Sequence, residues 1–423
     1  MNSKLFPVYL LHFVNFFNLM LWGPVLEPIL NQQNITDPKL ILILNGLIIA
    51  TYPLFQFLAI QPLNSLSQSY GKKNILLVTQ VGTVISICLS IFAISLPALR
   101  EINFFGISLG ICLLIISRII DGISGGNAMI NNGYATDIIN SEKLDAAETF
   151  SMVELSMIAG SLSGVFLGPL FSRTRFGMVG ALYLILFVSL VGIYIIFAKV
   201  NNIKAIQVTK TNFKDDLNLI HQLKFFKGNK MVQKILFYRF VFQIIFISFI
   251  ANIFLFLKSH LGIEGSETSI VMLLVAIITI IAITLINPII SNRYGNITAL
   301  KISKVLLIIG LLMFFTFPFF GRDLSVGILL LFSYLVLVTG VTISLSLFKY
   351  FLTLSVKEEL QGKALALEEQ ILIIAGFVGP VITGAISATF VEYSLPAQSM
   401  FLYFIFLGVI YFVLDYLVFK IKK

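Results

Sequence analysis

Runs of about 20 mainly apolar residues recur along the whole chain, each long enough to cross roughly 30 Å of hydrocarbon as a helix. They are expected at residues 6–29, 40–63, 75–97, 106–136, 147–171 and 177–199, and again at 236–257, 267–289, 301–319, 325–353, 364–390 and 398–419. In lipid every backbone N–H and C=O must be satisfied inside the protein, so runs of this length are read as helices. Composition agrees: hydrophobic residues make up 58% of the 423 residues and charged ones only 12%. A soluble domain carries about 25% charged residues, so most of this surface must face lipid. The expected fold class is an all-α membrane protein with twelve transmembrane helices.

The net charge of +9 is explained by where the charges fall. Of the 29 Lys and Arg, 20 lie at or near one membrane face: Lys4, Lys72, Lys73, Lys143, Lys199, seven lysines from Lys204 to Lys234, Arg293, Lys301, Lys304, Lys357, Lys363, Lys420, Lys422 and Lys423. Lys39, Arg100, Arg173, Arg175, Lys258 and Arg322 lie at the other. Basic loops stay on the cytoplasmic side, so both termini and the central loop are expected there, in a cytoplasmic (inner) membrane, with anionic lipid as their nearest partner. No compact basic domain is left to bind nucleic acid. The first apolar stretch, Leu5 to Leu30, is too long for a signal-peptide core. Cys88 and Cys112 sit within spans and read as packing residues.

Residues 200–235 interrupt the pattern with seven lysines, Asp215 and Asp216 and no membrane-length run. The expected organisation is therefore an N-terminal six-helix bundle at 1–199, a cytoplasmic linker at 200–235 and a C-terminal six-helix bundle at 236–423. Two weak internal repeats support pseudo-symmetric halves. Gly164-Val-Phe-Leu-Gly168-Pro169 has a counterpart in Gly376-Phe-Val-Gly379-Pro380, and Ser69-Tyr70-Gly71-Lys72 in Arg293-Tyr294-Gly295-Asn296.

The densest local pattern is Arg118-Ile-Ile-Asp121-Gly122-Ile-Ser-Gly125-Gly126-Asn127 in the fourth span. An arginine inside lipid is costly and needs a partner or water. Asp121, three residues on, shares its helical face, and Gly122, Gly125 and Gly126 let a neighbouring helix approach. The pattern resembles the Arg-x-x-x-Gly motif of the drug:proton antiporters of the major facilitator superfamily, in particular the branch of tetracycline exporters. Gly164-x-x-x-Gly168-Pro169 resembles that family's antiporter motif, with Ser172 and Arg173 where a glycine pair usually follows. Gln361-Gly362 and Gly379-Pro380 resemble the family's eleventh span, and Pro24-Val-Leu-Glu27-Pro28 the end of its first. The loop Asn64-Ser-Leu66-Ser67-Gln68-Ser69-Tyr70-Gly71-Lys72-Lys73 keeps the superfamily's second glycine and basic pair. It has Gln68 in place of the usual acid and Ser69 in place of the arginine, which removes a charge from the usual cytoplasmic gate. Gln68, Gly71, Lys72, Gly122, Gly164, Gly168, Pro169, Gly379 and Pro380 are thus candidate conformational residues.

Buried carboxylates resist ionisation and can bind and release protons during transport. Glu27, Asp121, Glu154, Glu368 and Glu369 lie within expected spans and are the candidate proton-coupling residues. Arg118, Arg239 and Lys349 are the basic residues placed well inside spans. Polar residues at helical spacing form candidate substrate contacts: His12, Asn15 and Asn18 on the first span, Asn127 and Asn131 on the fourth, and Arg239 and Gln243 on the seventh. Together with Arg118 and Lys349 these make up the expected substrate site.

Phosphate-binding loops, metal-ligand clusters and nucleophile elbows are not found, so no enzyme activity, cofactor or metal is expected. The resemblance implies a secondary transporter working by alternating access, as a monomer, on a small-molecule substrate with the proton as coupling ion. Efflux of a small organic or amphipathic solute is the leading reading. Uptake of a nutrient such as an amino acid, organic anion or siderophore is the alternative, and a membrane receptor the third.

Overall fold

The computed structural model describes all residues except 1–2, 34, 36, 105–106, 145, 173, 202–227, 262–265, 317–323, 357 and 393–423. Most of the expected linker and the whole span expected at 398–419 lie outside the described residues. Among the described residues, ten helices are long and apolar enough to cross a membrane. Apolar side chains such as Phe187, Phe197 and Ile289 are more than half exposed on them, the reverse of a water-soluble surface and the expected arrangement against lipid. The chain divides into two compact units, Met1–Asn218 with Gly265–Ser269, and Leu219–Glu264 with Ile270–Lys423.

In the first unit the helices are α1 (Phe6–Asn31), α2 (Pro38–Tyr70), α3 (Lys72–Ser95), a short α4 (Ala98–Glu101), α5 (Leu109–Ile123), α6 (Asn127–Glu142), α7 (Ala146–Ser172) and α8 (Met178–Lys199). A two-residue hairpin, Asn103–Phe104 against Ile107–Ser108, joins α4 to α5. Local chemistry sets several ends. Asp37 caps α2 by accepting from Lys39 N at 2.9 Å and Pro38 follows at the first turn, where its missing N–H costs nothing. Ser108 caps α5 in the same way through Ile111 N. The core holds Leu21, Leu26 and Ile29 of α1 against Ile48 of α2, Leu114 of α5 and Ile185 of α8.

α1 and α7 approach closely because α7 lacks side chains where they meet. A Cβ on Gly160 would lie 2.3 Å from the Phe13 carbonyl oxygen, and one on Gly164 2.4 Å from that of Phe17. Gly168 faces Leu21, so three glycines four apart meet three α1 residues four apart. At the α1 start, Lys4 pairs with Glu142 at the end of α6. That carboxylate holds the Lys4 ammonium protonated to higher pH than usual.

The fourth span departs from the single helix expected at 106–136. It breaks at Ser124–Gly126 into α5 and α6. Gly122, Gly125 and Gly126 press on Tyr52, Gln56 and Leu63 of α2, and a run so poor in side chains is a weak helix. Gln56 Nε2 donates to the Gly125 carbonyl at 2.7 Å, replacing a helical bond lost at the break. Gln56→Leu leaves that carbonyl unanswered, and a thermal melt of the purified protein is expected to show a loss of about 1 kcal/mol.

The second unit holds α9 (Lys230–Leu261), α10 (Ser266–Ile281) from Ile270 onward, α11 (Asn287–Tyr294), α12 (Asn296–Thr316), α13 (Leu324–Leu354) and α14 (Glu358–Glu392). A π-turn, Ala282–Ile286, links α10 to α11 just before Pro288. A proline removes one donor from the helical ladder, and the wider turn absorbs the mismatch. Gly71 (φ 90°) and Gly295 (φ 75°) both adopt left-handed backbone between consecutive helices. The Tyr-Gly repeat noted in the sequence is therefore a conformational repeat. α12 and α13 are drawn together at Gly340, whose Cβ would meet the Ser303 carbonyl at 2.6 Å.

Candidate functional site

Among the described residues, each unit holds a buried arginine–carboxylate pair set among aromatic rings. In the first, Arg118 Nη1 donates to Asp121 Oδ2 at 2.6 Å, with the side chains 3% and 13% exposed. The i, i+3 spacing on α5 makes this contact local. Its surroundings are not local: the guanidinium lies 4.9 Å from the ring centres of both Trp22 on α1 and Tyr52 on α2. Cation–π contacts gain strength when desolvated, to about 2 kcal/mol or more, so the rings help to hold a charge that lipid would expel. Thr83 of α3 lies beside Asp121. Four helices thus converge on the pair, one turn before the break in the fourth span.

In the second unit Arg239 Nε of α9 donates to Glu368 Oε1 of α14 at 2.9 Å, with side chains 5% and 2% exposed. Arg239 Nη1 donates to Gln243 Oε1 at 3.1 Å, and the guanidinium lies over Phe242 and Phe348. Lys304 of α12, expected at a membrane face, is instead buried with its ammonium 4.8 Å from the Tyr238 ring centre. Tyr238 packs on Phe348 at 5.0 Å, so Lys304 belongs to the same aromatic cluster as Arg239. A stretch reading Leu-Lys-Ile-Ser-Lys at a span start suggests wet lysines, and only the packing of α12 against α9 reveals one of them as internal.

The remaining candidates separate. Asn18 Nδ2 donates to Ser189 Oγ at 2.8 Å. Asn127 donates to Gln80 Oε1 at 3.1 Å and meets the Thr79 hydroxyl, while Gln80 donates to the Ser189 carbonyl. These amides tie α1, α3, α6 and α8 together. Asn131 donates to the Val8 carbonyl at 2.8 Å. His12 is fully buried beside Asn132, with neither ring nitrogen in hydrogen-bonding geometry with a described group. Asn15 is half-buried. Glu27 accepts from Asn31 at 3.1 Å on an exposed helix end. Glu369 is exposed on α14. Glu154 on α7 and Lys349 on α13 have their backbones placed, and their side chains lie outside the described residues.

The loop motif works through its basic residues. Lys72 Nζ reaches Asp137 at 2.5 Å and the Gly133 carbonyl at 2.8 Å, and Lys73 donates to the Phe197 carbonyl at 2.8 Å. Phe197 lies in the last turn of α8, at the negative end of its dipole, whereas the Gly133 carbonyl is midway along α6. The Gln68 side chain lies outside the described residues. Gly168 and Pro169 continue α7, and Gly379 and Pro380 lie within α14.

Comparison with known proteins agrees with this architecture. The sequence profile of the Major Facilitator Superfamily matches residues 8–367. The chain is similar in fold to the nucleoside transporter NupG, with a TM-score of 0.69 at 15% identity over 100% of both chains. It is similar to the D-xylose-proton symporter at 0.71 and 16% identity, over 100% of this chain and 98% of that one. For the human organic anion transporter MFSD10 (TETRAN) the TM-score is 0.65 at 16% identity, covering 97% and 98%. The tetracycline resistance protein, class C, of Escherichia coli is 28% identical over 129 residues, 30% of this chain and 28% of that protein's length. With a family match over most of its length, a helical fold shared end to end with solved transporters and apolar helices of spanning length, this chain belongs to the Major Facilitator Superfamily and is a multi-pass membrane transporter, not an enzyme.

Proposed function

We propose that the chain is a proton-coupled secondary transporter that exports a small organic solute, with Asp121 as the proton acceptor and Arg118 as the group that tunes it. The observation that carries this reading is the buried Arg118–Asp121 pair, held between Trp22 and Tyr52 one turn before the break in the fourth span. Taking a proton converts Asp121 to a neutral acid and loosens its hold on Arg118. The charge state of the pair then bears directly on the hinge at Ser124–Gly126. Glu27 is the weaker candidate for this role, because it sits at an exposed helix end.

The partial likeness to a tetracycline resistance protein supports export. Uptake remains the second reading, supported by the end-to-end fold likeness to a D-xylose-proton symporter. The proposal includes the division at 1–199, 200–235 and 236–423, a monomer in a cytoplasmic membrane, and both termini in the cytoplasm beside anionic lipid. The test is solute movement in proteoliposomes under an imposed pH gradient, with organic cations, amino acids and organic anions offered in turn. Movement against the proton flow is expected. Movement with it makes the protein an importer, and movement indifferent to pH removes the proton from the scheme.

A further inference from the structure

The Arg239–Glu368 pair differs from Arg118–Asp121 in how it is made. Its partners come from different helices, 129 residues apart in sequence. The guanidinium is held to the carboxylate by a single Nε bond to Oε1, although an arginine can grip a carboxylate through two parallel bonds. The other carboxylate oxygen, Oε2, is buried without a hydrogen-bond partner among the described residues. A carboxylate with a dry, unanswered oxygen is an uncomfortable counter-ion. Gln243 steadies the guanidinium from the side, and Phe242 and Phe348 face it. Lys304 places a second buried positive charge in the same aromatic cluster.

We propose that Arg239 is the receptor for the anionic group of the solute, a carboxylate on an apolar or aromatic body, and that Glu368 is its internal stand-in, displaced when the solute binds. The proposal deepens the transport reading by naming a substrate class. A solute carboxylate offers the guanidinium two oxygens where Glu368 supplies one. The phenyl rings of Phe242 and Phe348 provide an apolar wall for the rest of the molecule. In the conformation described the pair is closed, with Arg239 4% exposed, so entry requires α9 and α14 to part. Glu368 keeps the charge compensated while the site is empty.

The two residues therefore have opposite expected effects. Equilibrium binding is measured on the full chain in lipid nanodiscs, with no pH gradient, using benzoate, benzylammonium and benzyl alcohol as probes of one shape and three charges. The wild type is expected to prefer benzoate. Glu368→Gln removes the internal competitor, so benzoate should bind about tenfold more tightly. Arg239→Gln should abolish benzoate binding. The double variant Arg239→Gln with Glu368→Gln removes both partners of the ion pair together and should stay folded, again without binding benzoate. A preference for benzylammonium that Glu368→Gln destroys would overturn the proposal, as would benzoate binding that survives in the double variant or the absence of benzoate binding in the wild type. Because no proton gradient enters the assay, failure of proton coupling leaves this result standing, and failure here leaves proton coupling untouched.

Discussion

Asp121→Asn is expected to abolish proton-driven transport while leaving solute exchange measurable. Asparagine keeps the size and the hydrogen-bonding oxygen of the carboxylate but cannot release a proton, so it mimics one protonation state permanently. A transporter frozen in that state can still swap solute for solute, because exchange needs no net proton movement. It cannot be driven by a pH gradient. The substitution also leaves Arg118 without its counter-charge, and removing one partner of a buried pair costs about 3–5 kcal/mol. Loss of activity alone would therefore be ambiguous, and exchange is the decisive measurement. The chain offers a second readout in its single tryptophan. Trp22 lies 4.9 Å from the Arg118 guanidinium, so its emission should titrate with pH in the wild type and be flat in Asp121→Asn. Wild-type coupling in the variant would remove Asp121 from the mechanism.

Gly164→Ala should be far more damaging than Gly379→Ala, although the two glycines occupy matching Gly-Pro repeats. At Gly164 the added methyl carbon would lie 2.4 Å from the Phe17 carbonyl oxygen, a backbone atom that cannot move without shifting α1. At Gly379 the nearest atom is a side-chain methyl of Ile247 at 3.4 Å, ordinary contact. Overpacking a tight interface costs about 1–3 kcal/mol, and a backbone clash belongs at the upper end. The yield of monodisperse protein and its melting temperature in detergent should fall for Gly164→Ala and change little for Gly379→Ala. Equal behaviour would mean that α1 and α7 do not approach as described.

What could be read from the chain without its fold was everything that depends on near neighbours. The apolar runs are local, and so is the i, i+3 relation of Arg118 to Asp121. The Tyr-Gly repeat was also visible, because a glycine between two helical runs announces a left-handed turn. The break in the fourth span was half legible. Its glycines were read as a place for close helix approach, which they are, but not as an interruption, because whether a glycine-rich stretch stays helical depends on what takes its freed carbonyls. Here Gln56 of α2 does so, 69 residues away.

The sequence by itself determined that this chain lives in a membrane, where its described spans run, and that an arginine and an aspartate share one face of the fourth. Periodicity and the cost of charge in lipid suffice for that. Only the tertiary structure decided which polar groups face one another. Asn18 and Asn127, expected to line a cavity, are spent on bonds between helices, and Lys304, expected at or near a membrane face, is buried against Tyr238. Arg239 finds its acid in Glu368 on a helix at the far end of the chain. A helix presents its side chains all the way round, and which of them become internal is settled by the neighbour it packs against.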